Sequence, residues 1–299
     1  MGLFGNASAG GTARRGLKLW PILLFVVYFG YYYISHQDVT AYTGRKQLID
    51  TSPAQEAALG LQSYREILSQ SQVVSSGPLP QQVHTIAQRL ITAAPKVETY
   101  LAKTRGTPDD TDWSSYQWDV NVIQSDQVNA FCLPGGKIAV YTGIIPVAGN
   151  ADGLAVVMGH EIAHALLRHG GERMAQQKLV QLGTLAAGMS MGDMDPQQRN
   201  LMMAALGAGA QYGVLLPFSR RDESEADHVG LMLAAAACFD PAEAPKLWQR
   251  MSAMGGQKPA EFMSTHPADA TRIRQLQAWL PEAEQVRQHF CSPAAADTG

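Results

Sequence analysis

Two histidines four residues apart, with a glutamate directly after the first, sit inside an otherwise apolar run, Leu154-Ala155-Val156-Val157-Met158-Gly159-His160-Glu161-Ile162-Ala163-His164-Ala165-Leu166-Leu167. No proline interrupts Asp152 to His169, and most residues favour a helix, so the segment is predicted helical, with Gly170-Gly171 as its stop. On a helix, side chains at i and i+4 lie one above the other. His160 and His164 therefore aim at one point, about 2.0–2.1 Å from a shared zinc ion. Glu161 sits one residue round, within reach of water at that point but off the ligand face. The plainer alternative is an amphipathic helix with two histidines facing a core. It leaves Glu161 buried among apolar side chains at a cost of several kcal/mol, which a metal or a polar cleft offsets.

A third ligand must come from another element. The extended pattern with Gly at 167 and His at 170 is excluded, because the chain has Leu167 and Gly170. His169 lies about 140° round the helix from His164 and reads as a C-terminal residue facing the helix dipole. A better source is Ser219-Arg220-Arg221-Asp222-Glu223-Ser224-Glu225-Ala226-Asp227. Glu223 and Asp227 share a helix face, and Glu225 points about 200° away from Glu223. One carboxylate of this segment suits a ligand, with Asp227 accepting the free ring N–H of a ligand histidine. Taken alone, the segment also reads as an exposed acidic face paired with Arg220 and Arg221.

With Asn129-Ala130-Phe131-Cys132-Leu133-Pro134-Gly135-Gly136, Tyr141-Thr142-Gly143, Arg168-His169 and Thr265-His266-Pro267 before Arg272-Ile273 added, the chain resembles the M48 family of membrane-associated zinc metallopeptidases, the gluzincins of HtpX and LoiP type. The resemblance runs from about Thr43 to Leu276. It implies one Zn2+ per chain held by His160, His164 and Glu223, with Asp227 behind a ligand histidine. It also implies a role at the site for His266, and places Asn129, Ala130 and Phe131 along the substrate cleft. Arg272 is expected to hold a carboxylate nearby. His266 is expected to donate to the oxyanion or to occupy the open coordination position in a resting enzyme. The N-terminus departs from the LoiP-like lipoproteins, since no cysteine follows its apolar run.

That N-terminal run, Leu19 to Ser35, carries no charge, follows Arg14, Arg15 and Lys18, and ends in Tyr31-Tyr32-Tyr33. It reads as a transmembrane anchor at 19–35 after a cytoplasmic segment at 1–18, the rival being a cleaved signal peptide. By the positive-inside rule the rest of the chain is expected on the periplasmic side of a bacterial inner membrane. Residues 36–50 read as a polar linker, 51–290 as the metallopeptidase domain and 291–299 as a disordered tail. The net charge of −3 gives no footprint for nucleic acid. Cys132, Cys238 and Cys291 fit no CxxC motif, and free thiols are preferred to a Cys238–Cys291 bridge.

The predicted fold is mainly α with a small β-sheet, a zincin-like α+β domain behind one N-terminal transmembrane helix. Ser52-Pro53-Ala54-Gln55 marks a capping box opening a helix to about Ser71. A second helix is expected over about Gln81 to Ala94, and a last one over about Ala268 to Leu280. Strands are expected at Gln117 to Gln124 and Lys137 to Thr142, and the strand before the metal helix offers its open edge to an extended peptide. The uncharged runs Leu179 to Gly192 and Leu201 to Phe218 read as helices beside the site or at the bilayer surface, joined at Asp193-Met194-Asp195-Pro196, since one span between His164 and Glu223 separates them and Leu179 to Gly192 is too short for the partner of a two-span hairpin. Met189, Met191, Met194, Met202 and Met203 form either an adaptable lid or ordinary core. The function expected is a zinc metalloendopeptidase with Glu161 as general base and His266 at the oxyanion, acting on misfolded or membrane-associated proteins in envelope quality control. A chaperone-like or assembly factor that binds clients in a zinc-containing cleft is the alternative.

Overall fold

A computed structural model describes residues 17–192, 194–210, 215–254, 262, 266 and 270–292. It is mainly helical with two small sheets. The expected segments at 1–18 and 291–299 lie almost wholly outside the described residues, as do Asp193 and the neighbours Thr265 and Pro267 of His266. The chain divides into two compact units, Met1–Ser35 with Gln176–Leu216, and His36–Ala175 with Pro217–Gly299.

In the first unit, α1 (Trp20–Ser35) is a helix of 16 residues, about 24 Å long against a hydrocarbon thickness of about 30 Å. Among the described residues no helix is long and apolar enough to cross a membrane. The expected transmembrane helix at 19–35 is therefore not confirmed. Leu23, Leu24, Val27 and Ile34 are exposed, while Phe25 lies against Gly183 and Tyr32 under the Lys178 ammonium. The first uncharged run lies at the end of α6 (His169–Ser190), and the second takes in the end of α7 (Pro196–Ala210), residues 211–214, which lie outside the described residues, and the first residues of α8 (Leu216–Ala236). Asp195 opens α7 by accepting from the Gln197 N–H at 2.9 Å. Met191 is buried, whereas Met189 and Met202 are exposed.

The second unit opens with β1 (Gln37–Val39) and β2 (Lys46–Leu48), an antiparallel pair with Gln37 opposite Leu48. The stretch 36–50 is thus part of the fold and not a linker. Strands of three residues are too short for their alternation to register in sequence. The next helix, α2 (Pro53–Ser69), has both arms of the capping box: Gln55 N–H donates to Ser52 Oγ at 3.3 Å, and Ser52 N–H to Gln55 Oε1 at 2.9 Å. α3 (Pro78–Arg105) runs through Pro95 beyond its predicted end and buries Val83, Ile86, Leu90, Val97 and Leu101.

β3 (Asp119–Ile123), β4 (Ala130–Leu133) and β5 (Lys137–Tyr141) form a sheet in the order β3-β5-β4, with β5 parallel to β3 and antiparallel to β4. The strand nearest in sequence to the helix of His160 and His164 is therefore central, and the edge beside that helix is β4. After a short helix, α4 (Ile145–Ala148), comes α5 (Ala151–Leu166), capped by Asn150 Oδ1 on the Gly153 N–H at 2.7 Å. It packs on β4 and α3. It ends before Gly170-Gly171, because Arg168 takes a left-handed φ of 55°, a strain of about 1–2 kcal/mol. The Arg168 guanidinium offsets this by holding Asp38 at 2.9 Å, Glu56 at 2.7 Å and the Thr51 carbonyl at 2.6 Å.

α8 (Leu216–Ala236), α9 (Glu243–Ala253) and α10 (Ala270–Cys291) complete the unit. α5 and α8 touch backbone to backbone: a Cβ built on Gly230 falls 2.7 Å from His160 N, and one built on Gly159 falls 2.8 Å from the Gly230 carbonyl oxygen. Ile138, Met158, Ile162, Met232 and Trp248 are buried in the surrounding core. Cys238 and Cys291 form a disulfide, against the preferred free-thiol reading, while Cys132 is free and buried. The bridge closes a 53-residue separation between the ends of α8 and α10, which in the chain-entropy account stabilises by about 4 kcal/mol.

Candidate metal centre

Helix α5 delivers His160, Glu161 and His164, α8 delivers Glu223 and Asp227, and α10 delivers Arg272. His160, His164, Glu223 and His266 each turn one ligand atom to a common point, all within 4.8 Å of one another. His160 Nε2 is 3.0 Å from His164 Nε2, 3.4 Å from Glu223 Oε2 and 3.3 Å from His266 Nδ1. Glu223 Oε1 is 3.3 Å from His164 Nε2, and Glu223 Oε2 is 2.7 Å from His266 Nδ1. A tetrahedral zinc with bonds near 2.0–2.1 Å has edges of about 3.3 Å, so this donor set fits the ion in both spacing and chemistry. The acidic run is not an exposed face: Asp222, Glu223 and Asp227 are all buried.

The charges point the same way. Burial opposes protonation of His160, yet Asp227 and Glu223 raise its pKa to about 9. Burial likewise opposes ionisation of Glu223, yet the imidazoles of His160, His164 and His266 hold it well below the usual carboxylate range. The two carboxylates favour positive charge at the donor cluster.

Behind the donors, His160 Nδ1 lies 3.0 Å from Asp227 Oδ1. Arg272 grips Asp227 with two bonds, Nε to Oδ2 at 2.6 Å and Nη2 to Oδ1 at 2.7 Å, and stacks 3.3 Å above the Trp248 ring. Its Nη1 also reaches Glu223 Oε2 at 3.2 Å. Glu161 is buried, and its Oε1 has no hydrogen-bond partner among the described residues. His266 Nε2 lies 3.5 Å from that oxygen. Burial raises the Glu161 pKa, with His266 and His160 opposing.

The three residues named for the cleft separate. Asn129 turns its carbonyl to β5, accepting from Tyr141 N–H at 3.1 Å. By alternation the main-chain groups of Ala130 and Cys132 face the open edge of β4. There the Val128 carbonyl accepts from Phe262 N–H at 3.1 Å. The Phe131 side chain goes to the other face, against Tyr64 and Tyr141. Ala130 is buried in the core beside α5.

Sequence reasoning missed the groups that stand behind His164. His169 is the first residue of α6 rather than the last of α5, and its Nδ1 lies 2.8 Å from His164 Nδ1. His169 Nε2 is 3.2 Å from Glu225 Oε2, which also accepts from Arg45 Nε at 2.7 Å. The turn at Arg168 swings His169 back, and helix arithmetic over one continuous helix had no access to that.

The model of peptidase family M48 matches residues 95–280. The chain is 35% identical to the mitochondrial metalloendopeptidase OMA1 of Schizosaccharomyces pombe, over 87% of this chain and 71% of that protein. It is 30% identical to the mitochondrial metalloendopeptidase OMA1 of Homo sapiens, over 89% of this chain and 49% of that protein. Identity to the β-barrel assembly-enhancing protease of Yersinia pestis is 26%, over 85% of this chain and 49% of that protein. The mitochondrial relatives overturn the expected location in a bacterial inner membrane with a periplasmic catalytic domain.

Proposed function

The chain belongs to peptidase family M48, and from that premise we propose that it is a zinc metalloendopeptidase that cleaves extended segments of proteins with Glu161 as general base. The observation that carries this reading is the convergence of His160, His164 and Glu223 beside a buried Glu161 whose Oε1 lacks a hydrogen-bond partner among the described residues. His160 Nε2, His164 Nε2 and Glu223 would hold the ion, with His266 Nδ1 beside them in the donor cluster. Zinc bound there supplies Lewis acidity, which lowers the pKa of water towards about 7.

The protein's own groups do the rest. Glu161 Oε1 accepts the proton of the attacking water and returns it to the leaving amine, a contribution of about 10²–10⁴-fold. Asp227 holds His160 in the tautomer with Nδ1 protonated, and Arg272 holds Asp227. His266 would serve the oxyanion. The edge of β4 binds peptide backbone at Ala130 and Cys132, so a substrate must offer an extended strand. A folded protein rarely does, which supports a role in quality control of misfolded proteins. The exposed apolar side chains of α1 support association with a membrane or an apolar partner.

The test is Glu161→Gln, assayed for zinc content and for casein cleavage. Zinc should stay near one per chain while cleavage falls by at least about 100-fold. Near-normal cleavage removes Glu161 as base. A wild-type chain that binds a casein-like client but does not cut it favours a client-binding factor instead.

A further inference from the structure

His169, Asp222 and Glu225 form a second group of potential ligands beside the first. A second cation is not what the geometry favours there, because Arg45 already brings its guanidinium to 2.7 Å from Glu225 and 3.7 Å from Asp222. The atoms instead form a directional chain. His164 Nε2 faces Glu223 and His160, so its lone pair is needed at the metal position and its proton must sit on Nδ1. That Nδ1–H has His169 Nδ1 at 2.8 Å as its acceptor. His169 must then carry its own proton on Nε2, which faces Glu225 Oε2 at 3.2 Å. Glu225 can only accept, and it is held by Arg45 Nε and by the Thr43 hydroxyl. Arg45 in turn bonds Glu172 through Nη1 at 3.0 Å and Nη2 at 2.7 Å, and Arg221 reaches the same carboxylate at 3.0 Å. Each imidazole turns one N–H to one acceptor, and reversing the His164–His169 bond breaks the sequence at both ends.

We propose that His169, oriented by Glu225, Arg45 and Thr43, is a positioning residue that fixes His164 in the tautomer with Nδ1 protonated and Nε2 free for the metal. This rests on the zinc-site reading above. The two ligand histidines are thus supported differently: His160 by a carboxylate directly, His164 by a carboxylate acting through a second imidazole. Thr43 and Arg45 belong to the turn between β1 and β2, so this hairpin is part of the metal centre's support.

The experiment uses the full chain loaded with zinc. Long-range ¹H–¹⁵N spectra of histidine-labelled wild type should show His164 protonated on Nδ1 and His169 on Nε2; His169 protonated on Nδ1 overturns the proposal. Chelator competition should find zinc affinity lowered about 10- to 100-fold in His169→Leu. In His169→Asn, whose amide oxygen can stand where Nδ1 accepts, the loss should stay within about threefold. Equal affinities for wild type and His169→Leu, or equal losses in both variants, sink it. Should His169→Leu fail to fold, the spectra and the Asn variant still decide. A wild type that binds no zinc would instead overturn the parent reading.

Discussion

Substituting Gly230 by alanine tests whether the backbone contact of α5 and α8 sets the metal centre. The added methyl would lie 2.7 Å from His160 N and 2.8 Å from both Gly159 C and His160 Cα, whereas ordinary contacts begin near 3.4 Å. None of these neighbours is the end of a flexible side chain, so the helices must part by about 0.7 Å. Overpacking of this kind costs about 1–3 kcal/mol, which lowers Tm by about 2–4 °C for each kcal/mol in a domain of this size. The sharper effect falls on function, because His160 begins the turn of α5 that carries Glu161 and His164, and Glu223 rides on the displaced helix. A misplacement near 1 Å costs about 100-fold in rate, so kcat/KM should fall about 10- to 100-fold and zinc affinity should fall with it. Thermal melts, chelator competition and peptide cleavage measure the three quantities. Gly207→Ala is the control, since a Cβ there meets nothing within 4 Å. A Gly230→Ala protein with lowered Tm but zinc affinity and kcat/KM within twofold of wild type would refute the claim that this crossing aligns the ligands.

Asp227→Asn should weaken zinc binding about 10- to 100-fold by chelator competition, since it removes the charge that holds His160 and pairs with Arg272. Phe131→Ala should lower Tm but leave KM unchanged, because its ring packs on Tyr64 and Tyr141; peptides N-methylated where they meet the edge of β4 should instead lose about 2- to 10-fold per blocked hydrogen bond. Glu98 is fully buried, and burial raises its carboxyl pKa although the Thr111 N–H, donating at 2.8 Å, opposes it. With the folded pKa above the unfolded one, its contribution is full below about pH 4.3 and is lost as pH rises through the folded value. Glu98→Gln should therefore exceed wild type in Tm at pH 7, with the gap closing near pH 4; a pH-independent gap refutes this.

The parts legible in sequence are those set by neighbours in the chain. The capping box at Ser52 and the spacing of His160 and His164 need only a few residues of context, and both appear as read. The left-handed turn at Arg168 is stabilised by Asp38, Thr51 and Glu56, more than a hundred residues away, so the glycines that follow drew attention from the true break. The three-residue strands at Gln37 and Lys46 carry no readable period, and the Glu225 partnership with Arg45 needs the hairpin they make. Gly159 and Gly230 did leave a signal. An isolated glycine within a helix that loses about 1 kcal/mol relative to alanine marks a close approach.

The tie between Cys238 and Cys291 makes the redox state of the surroundings a determinant of this protein's robustness. In a compartment poised by reduced glutathione and thioredoxin the two sulfurs tend to remain thiols, whereas an oxidising lumen joins them. One gene expressed in the two settings would deliver material of unequal endurance on heating, and preparations should be compared only after their thiol content has been matched.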